Sequence, residues 1–175
     1  MVSSDTTIIS MEPILSAVSG ECRSADPRRA ALEAHLGYWL RLVSNEVSHT
    51  FERALQKRNM SVAEWVAINQ LAAGVGLTPA NLAATMGMTR GAISKVLAKL
   101  SKKKLISRSM SPLDSRVQLL SLTSQARQIL PQLTGIADDN DRHFFAALTP
   151  DERAAFHTLL RKLATVHHMA HIPVE

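Results

Sequence analysis

The middle of the chain holds a dense group of basic side chains. From Arg90 to Arg116 the sequence contains eight lysines and arginines and one acidic residue, Asp114. The basic residues are Arg90, Lys95, Lys99, Lys102, Lys103, Lys104, Arg108 and Arg116. Ammonium and guanidinium groups attract phosphates, and both can donate hydrogen bonds to the acceptor atoms of guanine. A solvated surface explains any single lysine, but the density of the group indicates a partner that carries phosphates.

The first half of this group is predicted to lie on the second of two short helices. Thr78 followed by Pro79 is typical of a helix start, and Gly87 can adopt the positive φ that ends the helix. Thr89 can cap the next helix. The apolar stripe of that helix falls at helical spacing on Ile93, Val96, Leu97 and Leu100, and its outward side holds Arg90, Ser94, Lys95 and Lys99. This pattern predicts a helix-turn-helix whose second helix presents polar and cationic groups to a partner.

Two strand-length segments follow the second helix. Leu105–Arg108 and Val117–Leu122 are rich in aliphatic residues, and the stretch between them contains Pro112 and Asp114, which favour a turn. A helix-turn-helix followed at once by a β-hairpin predicts a winged helix-turn-helix, with the hairpin as the wing.

The segment before the winged helix carries helical patterns. Asp26-Pro27 can start a helix, and apolar residues at steps of three and four from Leu32 to Leu55 predict one long amphipathic helix. A capping box at 61–64, formed by a serine and a glutamate, predicts the start of the helix that precedes the helix-turn-helix.

The C-terminal third is predicted to form two more helices. The helical period returns after Thr123, and Pro131 inside this segment is expected to kink the helix or to cost it a hydrogen bond. A capping box at 149–152 starts the last helix, whose apolar stripe is Phe156, Leu159, Leu160 and Leu163. Because the flanking helices carry more apolar surface than a winged helix can cover, an intertwined homodimer is expected, with a monomeric helical extension as the alternative.

The composition limits the class of protein. A chain of 175 residues, 46% hydrophobic and 20% charged, can form one substantial core, and 4% aromatic residues disfavour a large β-sandwich or a surface that stacks RNA bases. The net charge of +5 favours an anionic partner. The sequence has no signal-peptide pattern, no membrane-spanning run and one cysteine, Cys22, so a cytoplasmic protein without an internal disulfide is expected. It also lacks phosphate-loop, nucleophile-elbow, zinc-protease and paired-carboxylate patterns, so neither an enzyme nor a cofactor is predicted.

Three stretches carry a family resemblance: LAATMGMTRGAISKVLAKLSKKKLISR at 82–108, DSR at 114–116 and LT at 122–123. Together they resemble the MarR family (multiple antibiotic resistance) of winged-helix transcriptional regulators, and weaker motifs extend the resemblance from about Ala30 to about Val166. It implies a mostly α fold with a small β-hairpin wing, in which a winged helix-turn-helix core is flanked by N- and C-terminal dimerisation helices. The expected segments are a flexible arm at 1–26, helical dimerisation regions at 27–58 and 124–170, and a DNA-binding region at 59–123, the last three forming one intertwined domain over 27–170.

The resemblance implies a homodimeric repressor that binds a pseudo-palindromic double-stranded DNA operator and responds to a small molecule. The expected DNA-binding residues are Thr89, Arg90, Ser94, Lys95, Lys99, Arg108, Asp114 and Arg116. Base contacts are expected from the start of the second helix, and phosphate contacts from Lys99 and the run 102–104. The family's Asp-x-Arg pattern implies that Arg116 enters the minor groove and that Asp114 orients it by a charge-assisted hydrogen bond. The sequence departs from the family at Ser115, where a second basic residue is common, and at Lys104, where many members have glycine.

The resemblance also implies a site for an effector. Family members commonly hold a small aromatic or phenolic anion in a crevice between the dimer helices and the winged helix. The residues expected to line it are Tyr38, Trp39, Arg41 and Trp65. Both tryptophans also fall on the apolar stripes of their helices, where core packing is the ordinary role.

Three alternatives stay open. A peroxide-sensing branch of the family uses a cysteine where this sequence has Gly37, which leaves Cys22, beside Arg23, as the candidate for redox sensing. His167 and His171 lie one helical turn apart and could share a metal ion, although an exposed tail is the simpler interpretation. The third alternative is a winged helix that binds proteins instead of DNA.

Overall fold

The computed structural model describes residues 27–74 and 77–169. The predicted arm at 1–26, including Cys22, lies outside these ranges, as does His171. The chain divides into two compact units, one up to Val43 and one from Ser44 onward. The helices are α1 (Pro27–Glu33), α2 (Leu36–Gln56), α3 (Val62–Ala73), α4 (Pro79–Thr85), α5 (Arg90–Lys102), α6 (Ser124–Phe144) and α7 (Pro150–Val166), and the strands are β1 (Ile106–Met110) and β2 (Gln118–Leu122). The predicted mostly helical fold with one β-hairpin is confirmed.

The N-terminal helical segment is interrupted. The sequence predicted one long helix, and this is wrong, because α1 ends at Glu33 and α2 begins at Leu36. At the junction the His35 amide donates to the carbonyl of Leu32 at 3.1 Å, three residues back, so the α-helical ladder tightens and stops. The His35 carbonyl then accepts from the Tyr38 amide at 3.1 Å and starts the next helix.

The core of the unit from Ser44 onward is the winged helix. The side chains at its centre are at most 2% exposed: Ile68 on α3, Leu82 on α4, Leu97 and Leu100 on α5, and Leu120 on β2. Leu55 on α2 and Leu133 on α6 belong to the same core. The apolar stripe predicted for the second helix of the helix-turn-helix is therefore the stripe that the core covers.

Threonine caps and one glycine set the geometry of the helix-turn-helix. The Thr78 hydroxyl accepts from the Asn81 amide at 3.1 Å, and the Thr89 hydroxyl accepts from the Ala92 amide at 3.2 Å. Gly87, in the turn between the helices, has a φ of 63°. Because L side chains rarely adopt this angle, glycine suits the turn, as the sequence predicted.

The wing is an antiparallel hairpin with an extra contact at its base. Ile106 lies opposite Leu122 and Met110 opposite Gln118, so each strand begins one residue later than the sequence predicted. In addition, the Leu77 carbonyl accepts from the Leu120 amide at 2.8 Å and ties the hairpin to the chain before α4. A single bridging residue carries no periodic pattern, so the sequence could not indicate it.

The two C-terminal helices differ in how much they bury. α6 runs without a break through Pro131, and Asn140 on it donates to the Val47 carbonyl on α2 at 3.3 Å. α7 begins at the predicted capping box, but none of its residues is fully buried in the single chain. No helix in the described ranges combines the length and the apolar character needed to cross a membrane.

Candidate nucleic-acid interface

The outward face of α5 presents the side chains that the sequence predicted for DNA contacts. Arg90, Ser94, Lys95 and Lys99 are all exposed, whereas the apolar stripe on the other side of the helix is buried. The Ser94 hydroxyl donates to the Arg90 carbonyl one turn back at 2.7 Å, which leaves its oxygen lone pairs free to accept. Thr89 caps the helix through its own hydroxyl and so fixes where Arg90 begins the helix. We call α5 the recognition helix from here on.

A shallow cleft joins the recognition helix to the wing. Its volume is about 490 Å³, and it is lined by Thr78, Pro79, Ala80, Arg90, Ile93, Ser94, Val117 and Gln118. Arg90 and Ser94 on the recognition helix therefore lie beside Val117 and Gln118, where β2 begins. An elongated anionic partner could touch the helix and the wing at the same time.

The wing carries two exposed arginines. Arg108 donates from Nη1 to Oε1 of Gln118 at 3.1 Å across the hairpin. Asp114 accepts through Oδ1 from the main-chain amide of Arg116 at 2.9 Å, and its carbonyl accepts from the Val117 amide at 2.9 Å. Asp114 thus shapes the turn that precedes Arg116 instead of bonding to its guanidinium, which differs from the predicted contact. The Arg116 side chain projects from this turn and is exposed.

The lysines at the end of the recognition helix fall into two kinds. Lys99, Lys102 and Lys104 are exposed. Lys103 is not: its Nζ lies 2.7 and 2.8 Å from the two carboxylate oxygens of Glu64 and also donates to the carbonyl of Asn59. The sequence grouped Lys103 with the phosphate contacts, but its ammonium is already held within the fold.

Glu64 is the charged partner that sequence reasoning missed. It was predicted only as a member of the α3 capping box, which the structure confirms, since its carboxylate accepts from the Ser61 amide at 2.8 Å. The residue is only 2% exposed. Burial raises the pKa of the Glu64 carboxyl, but hydrogen bonds from Lys103 and the Ser61 main chain, together with the Lys103 charge, outweigh burial and hold the pKa below its ordinary value of 4.5. In the sequence, the only indication of this ion pair was that Glu64 and Lys103 each lie close to the end of a helix, beside a turn of the chain.

The predicted effector residues lie in different units. Tyr38, Trp39 and Arg41 belong to the unit that ends at Val43, where Tyr38 and Trp39 pack edge to face at 5.3 Å and the Trp39 indole donates to the Glu33 carbonyl at 2.8 Å. Trp39 is 46% exposed, so the core-packing role expected for it is not met within the single chain. Arg41 is exposed.

Trp65 lies in the other unit, beside a groove of about 830 Å³ between the part of α2 that follows Ser44 and the start of α3. Its ring packs edge to face against Phe51 at 5.0 Å, and its indole nitrogen is buried without a hydrogen-bond partner among the described residues. The groove is lined by Ser44, Asn45, Glu46, Ser48, His49, Phe51, Glu52, Ser61, Val62, Ala63 and Trp65.

The residues of the redox and metal alternatives are mostly outside the described ranges. Cys22 and His171 lie there, and His167 is exposed at the C-terminal end of α7. Within the described part of the chain, no three His, Cys, Asp or Glu side chains come together as a potential metal site.

Comparison with known proteins places this geometry in a family. A model of the MarR family matches residues 58–117, from just after α2 to the turn of the wing. An HTH-type transcriptional repressor from Mycobacterium tuberculosis is 27% identical over 133 residues, which cover 76% of this chain and 96% of that protein.

Two solved structures share the fold. A mutant of MarR from Escherichia coli, complexed with operator DNA, has a TM-score of 0.65 and 23% identity, and the match covers 79% of this chain and 99% of that one. Bordetella bronchiseptica BpsR, solved in work on the regulation of its DNA binding by 6-hydroxynicotinic acid, has a TM-score of 0.65 and 23% identity over 74% of this chain and 93% of that one. The family match lies on the winged helix described above, and the sequence similarity to the repressor extends over three quarters of the chain. The winged-helix region at 58–117 therefore matches the MarR family of winged-helix transcriptional regulators, and the fold of the described chain is the one that these solved structures share.

Proposed function

We propose that the protein acts as a homodimer that binds a pseudo-palindromic DNA operator and represses transcription there. The observation that carries the proposal is the exposure of Arg90, Ser94 and Lys95 on the recognition helix beside the wing that presents Arg116. An α-helix fits the major groove, where arginine and lysine donate to guanine and serine can donate or accept. Arg116 would enter the adjacent minor groove, whose negative potential is strongest where the groove is narrow. Lys99, Lys102 and Lys104 would contact phosphates.

Dimer formation is supported by α7. Its leucines Leu159 and Leu163 are 58% and 49% exposed, and no residue of this helix is fully buried in the single chain. About half of each of these side chains remains in water in the monomer, and burying a whole leucine side chain stabilises by about 1.5–3 kcal/mol, so covering the rest of each would contribute roughly half of that. In a two-fold dimer the two recognition helices would enter successive major grooves about 34–36 Å apart, which accounts for a pseudo-palindromic site.

The groove at Trp65 is the proposed effector site, and the charges of its lining residues limit which class of effector it can bind. Among the described residues, its lining includes Glu46, Glu52 and one histidine, His49, but neither lysine nor arginine. The phenolic anion expected from the resemblance would meet two carboxylates there. A neutral or cationic aromatic compound suits the groove better, because it can stack beside Trp65 and Phe51 without that repulsion. Such an effector would release DNA if it binds more tightly to a dimer whose recognition helices are wrongly spaced.

Replacement of Arg116 tests the DNA-binding proposal. Duplexes selected from a random pool would supply the operator, and gel-shift titrations at fixed salt would measure its affinity. Arg116→Ala is expected to cost about 1–3 kcal/mol of operator affinity and to relax specificity at one position. The dimer and the melting temperature should stay unchanged, because the side chain is exposed.

Arg161→Ala is the matched control, since Arg161 is exposed on α7, which carries none of the proposed DNA contacts. Equal operator affinities for the two variants would contradict the role of the wing. If the wild-type protein gives no salt-dependent shift with any duplex, DNA binding itself is refuted, and the protein-interaction alternative becomes the better explanation.

Tryptophan fluorescence tests the effector site. The chain has two tryptophans, so Trp39→Phe leaves Trp65 as the only indole. Titration with matched neutral, cationic and anionic aromatic compounds should quench Trp65 and release the operator for the first two classes. A response to the anions alone would contradict the charge argument.

A further inference from the structure

We propose that Glu64 and Lys103 form a clamp that positions the recognition helix for DNA recognition. Glu64, Lys103 and the Asn59 carbonyl make up this clamp, which joins the end of the recognition helix to the corner between α2 and α3. The proposal rests on the proposed DNA-binding function. In this proposal Lys103 positions the helix, whereas the exposed lysines near it are available to contact phosphates.

The Lys103 ammonium makes hydrogen bonds to three acceptor atoms in the clamp. The Lys103 ammonium has three hydrogen atoms, and its partners are both oxygens of Glu64 and the main-chain carbonyl of Asn59. The Glu64 side chain is 3% exposed and the Lys103 side chain 24%. The two residues are 39 positions apart in the chain, so the pair is a tertiary contact and not part of one helix.

A buried ion pair of this kind favours one arrangement strongly over its neighbours. Relative to an apolar pair of the same size it adds little stability, because removing both charges from water costs about what their attraction returns. However, any displacement that separates the two leaves a carboxylate buried without its cation, and that state is costly. The clamp therefore resists displacement of the helix end more than it stabilises the fold.

The place of the clamp matters for DNA recognition. Lys103 immediately follows the last residue of the recognition helix, and Lys104 after it has a φ of 57°, where the chain leaves the helix toward β1. Asn59, with a φ of 55°, lies at the corresponding corner after α2. The apolar stripe holds one side of the recognition helix against the core, and the clamp holds its far end. A tilt of the helix about its buried stripe would move Arg90 and Ser94 relative to the groove, and the clamp opposes that tilt.

Salt titrations can separate positioning from phosphate contact. Lys103→Met is expected to lower the ratio of operator affinity to random-duplex affinity by roughly tenfold, which is the discrimination of about one well-made base contact. The slope of log affinity against log salt should stay as in the wild type, because no phosphate contact is lost. Lys102→Met is the matched control at the exposed neighbour. It should reduce the slope by about one and leave the ratio unchanged.

A double variant protects the test against simple unfolding. Lys103→Met alone leaves Glu64 buried without its cation, whereas Glu64→Gln/Lys103→Met removes both charges and keeps an oxygen that can accept from the Ser61 amide. The double variant should melt within a few degrees of the wild type and still show the reduced ratio.

Two results would overturn the clamp. One is a folded double variant with the wild-type ratio. The other is a Lys103→Met protein whose salt slope falls by about one with an unchanged ratio, since Lys103 would then be a phosphate contact. Loss of salt-dependent binding by the wild type would instead refute the proposed function, so the two failures are distinguishable.

Discussion

The recognition helix and α7 carry the same apolar spacing and bury it differently. In the recognition helix the apolar positions are Ile93, Val96, Leu97 and Leu100, and in α7 they are Phe156, Leu159, Leu160 and Leu163, with the same steps of three, one and three. The first four are at most 8% exposed, whereas the three leucines of α7 are between 36% and 58% exposed. The pattern in the sequence therefore shows that a helix face is apolar but does not show what covers it.

The different burial of the two apolar stripes matters for what each helix can do. The recognition helix is fixed by its own chain, so the backbone positions from which its outward side chains extend are set before DNA is present. Such preorganisation reduces the cost of ordering the side chains on binding. The leucines of the α7 stripe are partly exposed in the single chain, and a second copy of the chain is the partner that we propose for them. Under this proposal, the same apolar pattern supports a rigid contact surface on the recognition helix and would support dimer formation on α7.

The largest expected effect is a loss of stability after a substitution in the buried stripe of the recognition helix. Leu100 is fully buried, so Leu100→Ala should lower the free energy of unfolding by about 2–5 kcal/mol, the transfer term plus the cavity. Leu159→Ala on α7 is the matched control and should cost much less at protein concentrations low enough to dissociate a dimer. Urea titrations followed by circular dichroism would measure both. Similar losses for the two variants would show that the stripes are covered equally within one chain.

A smaller effect is expected on assembly from the uncovered stripe. Leu163 is about half exposed in the single chain. A two-fold dimer would bury the exposed half of this side chain in both subunits, which together amounts to about one leucine side chain. Leu163→Ala should therefore weaken dimerisation by about 1.5–3 kcal/mol and leave the fold of the dissociated subunit intact. Sedimentation at a series of concentrations would give the dimer dissociation constant. Arg161→Ala, exposed on the same helix, is the control, and an unshifted constant for Leu163→Ala would remove α7 from the interface.

The features that the sequence predicted correctly depend on neighbouring residues. The threonine caps at Thr78 and Thr89, the positive φ of Gly87 and the hairpin each depend on a few consecutive side chains, and all are present. The exposure of the predicted contact residues on the recognition helix follows from the same local period. Here the sequence was sufficient because the physical cause is local.

The features that it missed depend on distant residues or on a choice among local hydrogen bonds. The Leu77 bridge to Leu120 and the pair of Glu64 with Lys103 join segments far apart in the chain, and no local pattern encodes them. The break after Glu33 and the bond of Asp114 to a main-chain amide are local, but side-chain and main-chain partners compete for the same hydrogen-bonding groups there, and periodicity does not choose among them. Those outcomes are decided by the folded surroundings.

The smallest expected effect concerns the ends of the two helices. Two residues after each helix, a non-glycine residue adopts the left-handed region. These residues are Lys104, with φ 57°, after the recognition helix and His168, with φ 49°, after α7. The Lys104 carbonyl accepts from the Thr123 hydroxyl at 2.8 Å, so its conformation is tied to the start of α6, whereas His168 is exposed at the end of a helix that buries no residue fully. Glycine adopts this angle without steric cost.

Lys104→Gly should therefore raise the free energy of unfolding by about 1 kcal/mol, the cost of a side chain in the left-handed region. His168→Gly should change it little, because the end of α7 can fray without opening the core. Thermal melts of both variants would measure the difference. Lys104→Gly also removes an exposed cation, so the salt slope of operator binding should fall by about one if Lys104 contacts a phosphate. A more stable protein with a smaller salt slope would show why lysine is useful at a position where glycine folds better, and a stability unchanged by Lys104→Gly would show that the left-handed turn carries no strain.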